Sequence, residues 1–410
     1  MSERSCRFCA ASLTRVFCDL GMSPLSNSFL DADASLAAER RYPLRAYVCD
    51  RCLLVQLEAF ETPEQIFSDY AYFSSYSDSW LVHARAYAYT MRQRLELGPR
   101  SLVVEVASND GYLLQYFREQ SIPVLGIEPA ANVAAAAKKR GIRTLVRFFG
   151  TELAEELRRE TRADLLVGNN VLAHVPDLND FVRGLARLLA DEGVITMEFP
   201  HLLRLIGENQ FDTIYHEHLS YFSFLTADQV FRAHGLVIFD VQEIPTHGGS
   251  LRIFACLPGS SRAKAGPRVE ALRAAEHAAE LDRPAGYASF AGRVGETKRA
   301  LLEFLGGAKS AGKRVVGYGA PAKGNTLLNY CGVDTGYLEY TVDRNPHKQG
   351  KLLPGSHIPI FAPERIRDTR PDYVLILPWN IKDEVISQMG HIREWGGRFV
   401  IPIPRAEIIA

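Results

Sequence analysis

A chain of 410 residues is longer than one ordinary domain; at roughly 150 residues per domain it predicts two or three. Its 47% hydrophobic and 23% charged residues are those of a globular protein able to bury sizeable cores. A formal net charge of -1 excludes a broad basic footprint for nucleic acid and a polybasic membrane patch, and no stretch approaches the roughly 20 unbroken apolar residues of a membrane span.

The opening segment MSERSCRFCA lacks the apolar core of a signal peptide, so a soluble, cytoplasmic chain is expected. Of seven cysteines, four fall in two pairs, Cys6-x-x-Cys9 and Cys49-x-x-Cys52. In a reducing compartment this spacing points to metal rather than disulfides. Each pair can take adjacent corners of a tetrahedron, and the two together complete a site for zinc. A redox-active pair usually opens a helix after a strand, and neither pair has that setting. Four thiolates leave no position for water, so the zinc is read as structural. No basic run surrounds the site, which argues against nucleic acid. Cys18, Cys256 and Cys331 read as small core residues. This module is taken as residues 1–68.

An aromatic stretch follows, with Tyr70, Tyr72, Tyr76 and Trp80 among its rings, and a helix is predicted over 78–97, ending at Gly98-Pro99. From there strands and helices alternate. Strands are predicted at Ser101–Ala107, Val124–Glu128, Ile142–Phe148, Asp164–Gly168 and Gly193–Phe199. Helices are predicted at Gly111–Gln120, Asn132–Arg140 and Leu178–Ala190. Two later runs, Leu236–Val241 and Leu251–Cys256, can finish the sheet. This is the rhythm of a doubly wound α/β domain over 69–260. Residues 261–307 read as a helical connection. Lys313 then opens a second α/β unit within 308–410, in which KRVVGYGAPAKGNTLLN reads as strand, glycine-rich turn and helix, and LEYTVD, DYVLIL and RFVIPIP as further strands.

The first strand of the central domain ends in Glu105-Val106-Ala107-Ser108-Asn109-Asp110-Gly111. An acid inside the strand, a tight small-residue turn and a helix start suit an S-adenosylmethionine pocket, with Glu105 or Asp110 meeting the ammonium group. The G-x-G-x-x-G cradle of a nicotinamide cofactor is absent. One strand later, Glu128 stands where ribose hydroxyls are commonly bound, with Pro129 beside it. The fourth strand leads into Asn169-Asn170, where the reacting end is expected, since ligands sit at the carboxyl ends of such strands.

A second cluster lies in FDTIYHEHLSYF, where Tyr215, His216, Glu217 and His218 are consecutive. On a loop, His218 can face a substrate, while Glu217 or Tyr215 fixes its tautomer or handles a second proton. Metal ligation by His-x-His with glutamate, or a plain solvated loop, would also fit the residues. His174, on the loop expected after the fourth strand, can enter the same pocket or be structural. His247-Gly248-Gly249-Ser250 is a small-residue turn that can approach a ligand or simply close a hairpin. The Gly317–Asn325 turn opens a helix, and its N–H groups with Lys323 can receive a diphosphate or only pack the domain.

Together these motifs resemble the sugar C-methyltransferases of deoxysugar biosynthesis, the group that contains the tetronitrose and mycarose C-3 methyltransferases. The resemblance runs nearly the whole chain: the cysteine ribbon, Leu20-Gly21-Met22-Ser23-Pro24-Leu25-Ser26-Asn27, Asp69-Tyr70-Ala71-Tyr72, Ser108-Asn109-Asp110-Gly111, Ile127-Glu128-Pro129-Ala130 and Asn170-Val171-Leu172-Ala173-His174. Its most specific parts are Tyr215-His216-Glu217-His218, His247-Gly248-Gly249-Ser250-Leu251-Arg252 and Gly317-Tyr318-Gly319-Ala320-Pro321-Ala322-Lys323-Gly324.

The resemblance implies a central Rossmann-like class I methyltransferase domain between an N-terminal zinc-binding module and a C-terminal Rossmann-like domain. It implies a nucleotide-linked, dTDP-type 4-keto-deoxyhexose substrate, methylated at C3 in antibiotic biosynthesis. His218 matches the base, and Glu217, Tyr215, Tyr70 and His174 are its expected companions. Tyr72, His216, Arg252, Lys323 and Asn325 are expected substrate contacts. The cofactor group comprises Glu105, Ala107, Ser108, Asn109, Asp110, Gly111, Glu128, Pro129, Asn169 and Asn170. The family usually has glycine where this chain has Ala107, whose Cβ narrows the space beside the methionine portion. Methylation at oxygen or another sugar position is a rival reading, as is a non-catalytic zinc-ribbon binding protein, against which the intact Tyr215–His218 cluster argues. No oligomeric state is implied.

Overall fold

The protein is described from a computed structural model that defines residues 4–62, 74–76 and 78–409. In the N-terminal segment run β1 (Arg15–Ser23), β2 (Leu30–Asp31), β3 (Tyr42–Val48) and β4 (Val55–Leu57). β1, β3 and β4 pair antiparallel, and the sheet takes its fourth strand from residues 220–221, far along the chain. Ala10 (φ 57°) and Leu53 (φ 63°) follow the second cysteine of each pair in the left-handed region, which closes both Cys-x-x-Cys turns in the same way.

The central sheet is built from β5 (Val103–Val106), β6 (Val124–Ile127), β7 (Thr144–Leu145), β8 (Ala163–Asn169) and β9 (Leu189–Pro200), followed by β10 (Ser220–Tyr221), β11 (Val237–Ile244) and β12 (Ser250–Cys256). β10 is the strand lent to the zinc module, and the other seven lie in the order β11-β12-β9-β8-β5-β6-β7. β5 to β9 are parallel, and β12 runs antiparallel between β9 and β11. The side chains of β5, and of Leu165, Leu166 and Val167 in β8, are wholly buried. A strand apolar on both sides belongs in a parallel sheet covered on both faces.

The covering helices are α1 (Asp78–Leu95), α2 (Leu114–Glu119), α3 (Ala131–Lys139), α4 (Thr151–Arg158), α5 (Leu178–Leu188), α6 (Leu202–Gly207) and α7 (Phe224–Ala233). Side chains cap two of them: Asp177 accepts from Asp180 N at α5, and Ser223 from Thr226 N at α7. α2 starts later than the expected Gly111, because Ala107, Asn109 and Gly111 all have positive φ and form a turn instead. α4 and α7 were not among the expected helices.

The segment after β12 is helical as expected, with α8 (Pro267–Ala278), α9 (Ala285–Ala288) and α10 (Phe290–Ser310). The last unit holds β13 (Val315–Tyr318), α11 (Ala322–Cys331), β14 (Thr341–Val342), β15 (Lys351–Leu352), β16 (Ile360–Phe361), β17 (Tyr373–Ile376), β18 (Arg398–Ile401) and β19 (Glu407–Ile409). Its sheet has the order β16-β14-β13-β17-β18-β19, parallel except for β19.

These parts are interleaved rather than strung out. β15 pairs with β2, and Phe17 of β1 stacks on Phe290 of α10 at 4.6 Å. One apolar core runs from Phe17 and Leu44 through Phe211 and Ile214 to Leu327 and Leu375. The stretch 201–222 therefore lies where three sheets meet.

Candidate active site

The four sulfurs of Cys6, Cys9, Cys49 and Cys52 lie within 4.8 Å of one another. Cys6–Cys52 and Cys9–Cys49 are each 3.5 Å apart. Thiolates on a tetrahedral zinc at about 2.3 Å would stand about 3.8 Å apart, so the cluster fits that ion. Gln56 Nε2 donates to Cys6 Sγ at 3.2 Å. The hydrogen bond shared with Cys52 pulls the Cys6 thiol down, towards the thiolate form that ligates a metal. Between the ligands, Arg7 donates to Leu219 O at 2.9 Å and Leu57 O at 2.8 Å. The metal turn thus holds the residue immediately after His218.

At the carboxyl end of β5, Glu105 is fully buried, with the Tyr112 hydroxyl as a neighbouring donor that favours its ionised form. Burial pushes its carboxyl well above the usual range. Around it, Ser108 Oγ, Asp110 Oδ1, Asn169 Oδ1 and Asn170 Oδ1 are buried without a hydrogen-bond partner among the described residues. Such orphaned acceptors are costly unless a ligand supplies donors. S-Adenosylmethionine carries an ammonium, two ribose hydroxyls and an amino group, so the chemistry fits. Asp110 is less free than Glu105: its Oδ2 accepts from Ser75 Oγ and meets Arg140 Nη1 at 3.0 Å. Glu105 is the carboxylate left to face an ammonium.

Loop shape follows from its backbone. Ala107 has φ 57°, Asn109 φ 49° and Gly111 φ 78°, conformations natural to glycine. Alanine at 107 therefore carries a backbone strain that glycine would not. Glu128 accepts from Asn109 N and from Ala130 N, both at 2.9 Å, which ties the loop to the start of α3 just past Pro129. Asn109 Oδ1 accepts from Ser74 N at 2.9 Å.

Beside this loop a polar row crosses the sheet. Strand register places Asn169 opposite Glu198, Glu198 opposite Arg252, and Arg252 opposite Gln242. Glu198 accepts from Arg252 Nη2 at 2.8 Å and Thr246 Oγ1 at 2.9 Å, and lies 3.1 Å from His83 Nε2. Burial alone would raise its carboxyl, but His83 and Arg252 outweigh it and hold it at about 2. Arg252, expected to touch substrate, is thus engaged within the sheet. Trp80 stacks on His83 at 4.9 Å and on Tyr112 at 5.9 Å, and its ring is 5.1 Å from His247. Asn169 Nδ2 donates to Tyr112 Oη at 3.4 Å, and Asn170 Nδ2 to His247 Nε2 at 3.1 Å.

The expected acid–base cluster forms a tight turn in which His218 N donates to Tyr215 O at 2.8 Å. The first and fourth residues face each other, with ring centroids 4.0 Å apart and Tyr215 Oη 2.7 Å from His218 Nε2. His218 Nδ1 is 3.0 Å from Thr213 O. A carbonyl only accepts, so the ring hydrogen sits on Nδ1 and Nε2 accepts from the tyrosine. Burial, then the neighbouring charges of His174 and Lys323, depress the His218 pKa well below the usual histidine value. Thr213, not Glu217, therefore fixes the tautomer. Glu217 sits at the third turn position and points the other way, accepting from Asn27 Nδ2 at 2.7 Å. Burial raises it to about 7. Its carbonyl accepts from His174 Nδ1 at 2.7 Å, which sets the His174 ring 4.8 Å from that of His218. His216 turns to Pro43 O at 3.3 Å and packs with Tyr42 and Phe60.

Two donors expected for a diphosphate are engaged elsewhere. Lys323 Nζ donates to His247 O at 2.8 Å and lies over the Trp379 ring at 5.0 Å, while Ala320 N donates to Asp343 Oδ2 at 2.7 Å. Asn325 Nδ2 donates to Ser26 O at 2.6 Å, beside the Asn27 that holds Glu217. Tyr70 and Tyr72 lie outside the described residues. The sequence reading missed Glu198, His83, Tyr112 and Thr213. Only Glu198 carried a signal, as a lone acid in the apolar run GVITMEF.

A covered parallel sheet with a buried acid at the end of β5 and an acceptor-lined turn after it defines the S-adenosylmethionine-dependent methyltransferase class. The comparisons agree: residues 82–241 match the family model described as a methyltransferase domain, 6–67 a putative zinc binding domain, and 245–404 a C-methyltransferase C-terminal domain. Over 406 residues, 99% of this chain and 96% of the relative, the sequence is 37% identical to the C-methyltransferase NovU of Streptomyces niveus. The chain belongs to this family of zinc-binding, S-adenosylmethionine-dependent C-methyltransferases. Among solved structures it is similar to magnesium protoporphyrin IX methyltransferase of Synechocystis PCC 6803 with bound S-adenosylmethionine, at 14% identity and TM-score 0.33 over 44% of this chain and 78% of that one. It is also similar to a possible histamine N-methyltransferase of Thermotoga maritima, at 19% identity and TM-score 0.34 over 45% of this chain and 95% of that one. Among the described residues, no helix is long and apolar enough to cross a membrane.

Proposed function

We propose that this enzyme methylates C3 of a nucleotide-linked 4-keto-deoxyhexose, most simply a dTDP sugar. The observation that carries the reading is the Tyr215–His218 pair, its histidine buried and its tautomer set by Thr213. Methyl transfer to oxygen or nitrogen needs only a lone pair. Transfer to carbon needs a carbanion, and hence a base that is neutral and dry before the reaction. His218 is held in that state.

The hydrogen on C3 is acidic because the resulting anion delocalises into the C4 ketone. Nε2 already accepts from Tyr215, so the proton leaves C3 either for Tyr215 Oη, as the tyrosine passes its own hydrogen to Nε2, or directly for Nε2 when substrate displaces the phenol. The electron pair of the broken C–H bond moves into the ring, and the carbonyl π pair moves to oxygen. When bound, S-adenosylmethionine supplies an electrophilic methyl group. The residues that would hold it are Glu105, Ser108, Asp110, Glu128, Asn169 and Asn170. The protein's own tasks are to orient C3, exclude water and hold the proton on the Tyr215–His218 pair.

The test is mass spectrometry of a panel of dTDP-4-ketosugars after incubation with enzyme and S-adenosylmethionine, with solvent-deuterium exchange measured in parallel without the cofactor. One added methyl group and exchange at C3 are expected. His218→Asn and Tyr215→Phe should each lose about 100-fold or more in both readouts while cofactor affinity stays near normal. Methylation without exchange would move the acceptor to oxygen, and exchange confined to C5, the other carbon beside the ketone, would overturn the C3 assignment.

A further inference from the structure

The turn between β11 and β12 is strained and held on every side. His247, Gly248 and Gly249 have φ of 56°, 92° and 113° in succession. A Cβ on Gly248 would stand 2.6 Å from the Trp379 ring, and one on Gly249 2.9 Å from Arg204 Cγ. All four carbonyls from 246 to 249 are bound. Thr246 O accepts from Gly249 N and Ser250 Oγ, and His247 O from Lys323 Nζ. Gly248 O accepts from Gln210 Nε2 at 2.6 Å, and Gly249 O from His201 N at 3.1 Å. Thr246 Oγ1 is anchored on Glu198. A non-glycine residue keeps such a conformation only where its surroundings over-determine it, and such residues gather at functional sites.

What the turn presents is the His247 imidazole. Asn170 Nδ2 donates to its Nε2, so the ring hydrogen is on Nδ1. Nδ1 has no hydrogen-bond partner among the described residues, and the residue is only part-buried. The ring stands beside Asn170 and Trp80, at the end of the strand where the methyl acceptor is expected, and is an electrostatic neighbour of His218. Burial, and then the Lys323 charge, lower its pKa to about 4, so it enters the reaction uncharged.

We propose that His247 is a catalytic residue, whose Nδ1–H donates to the acceptor's carbonyl oxygen and stabilises the enolate as it forms. The proposal rests on the ketone reading above. His247 keeps its hydrogen throughout: the substrate proton goes to the Tyr215–His218 pair, and the carbonyl oxygen gains the electron pair while accepting the Nδ1 hydrogen bond. A neutral histidine suits this work, because its donor strength is close to that of an enol and no charge is buried beforehand. Lys323 and Trp379, from the C-terminal unit, act as positioning residues that hold the turn.

The test uses the full-length, zinc-loaded protein with His247→Gly, since glycine adopts φ near +60° without strain and removes only the imidazole. The readouts are C3 deuterium exchange of the dTDP-4-ketosugar that wild type accepts, kcat, cofactor affinity by calorimetry, and rescue by added imidazole. Exchange and kcat should each fall about 100-fold or more, with cofactor affinity unchanged and part of the exchange restored by imidazole. Exchange at the wild-type rate would overturn the proposal, as would a loss that imidazole does not restore. Should the glycine variant fail to fold, His247→Asn decides in its place: asparagine tolerates the backbone, and full-rate exchange in a variant that binds cofactor would refute the role. Wild-type protein that exchanges and methylates no ketosugar overturns the ketone reading itself, which is a different result from a glycine variant that matches an active wild type.

Discussion

Replacing Arg252 with methionine should turn Glu198 from a stabilising group into a destabilising one. Glu198 is fully buried, and its carboxyl is held at about 2 against the reference 4.5. That depression is worth about 3 kcal/mol of folding free energy at neutral pH. The sign follows from the lowered value: the contribution is complete above pH 4.5 and is lost as pH falls through 2. Without Arg252, burial dominates and the carboxyl rises, so the folded state then loses stability as pH increases past 4.5. His83 remains as a partner, which places the cost of Arg252→Met at the low end of the 3–5 kcal/mol typical of a broken buried pair, about 3 kcal/mol. Urea denaturation followed by circular dichroism at pH 7.5 and at pH 5 measures it. The gap between wild type and variant should be largest at pH 7.5 and shrink towards pH 5, and Glu198→Gln with Arg252→Met should recover much of it. A cost below about 1 kcal/mol at pH 7.5, the size of an exposed pair, would refute the reasoning.

Removing zinc should abolish activity in proportion to metal lost, because Arg7 in the first cysteine turn holds Leu219 next to His218; stepwise chelation with a chromophoric metal indicator checks this, and full turnover of the metal-free protein would contradict it. Gly126→Ala would place a Cβ 2.5 Å from Ser108 Oγ, so it should cost about 1–3 kcal/mol and weaken cofactor binding in calorimetry. His174 and His216 are lowered to about 4 by burial, so their contribution is complete above pH 6.5 and is lost as pH falls towards 4. Glu217, raised to about 7, acts in the opposite sense, its contribution lost as pH rises from 4.5 through 7. The denaturation midpoint should therefore fall below pH 6.5, and the fall should be shallower in His216→Asn.

Much of this was legible where the information is local. Two cysteine pairs name their own ligands, and strands such as SLVVEVA or DLLVG declare themselves because both faces are buried. The strained loop after β5 was legible as a turn, although its left-handed Ala107 became intelligible only with its φ. What was not legible depends on pairing between distant strands. Asn169, Glu198, Arg252 and Gln242 make one row because four strands share a register, and nothing within any single segment specifies that. Consecutive residues misled for the same reason. Glu217 stands next to His218 in the chain, but a four-residue turn aims their side chains apart and gives the tautomer to Thr213.

The interleaved architecture suits the chemistry proposed for His218. A histidine that must be neutral and dry cannot sit on an open strand end, and the carboxyl edge of a doubly wound sheet is open by construction. Covering it takes material from both flanks. The zinc module contributes Asn27, Pro43 O and Arg7 to the loop 215–219, and the C-terminal unit contributes Lys323 and Trp379 to the turn at His247. Neither flank needs to perform chemistry for the reaction to depend on it. The zinc sets the position of a sheet edge, that edge pairs with β10, and β10 directly follows the Tyr215–His218 turn. The cysteine site, the Tyr215–His218 pair and the turn bearing His247 are thus linked through packing and hydrogen bonds, so on the proposed mechanism loss of either flank should first appear as a loss of exchange at the substrate carbon, before any loss of cofactor binding.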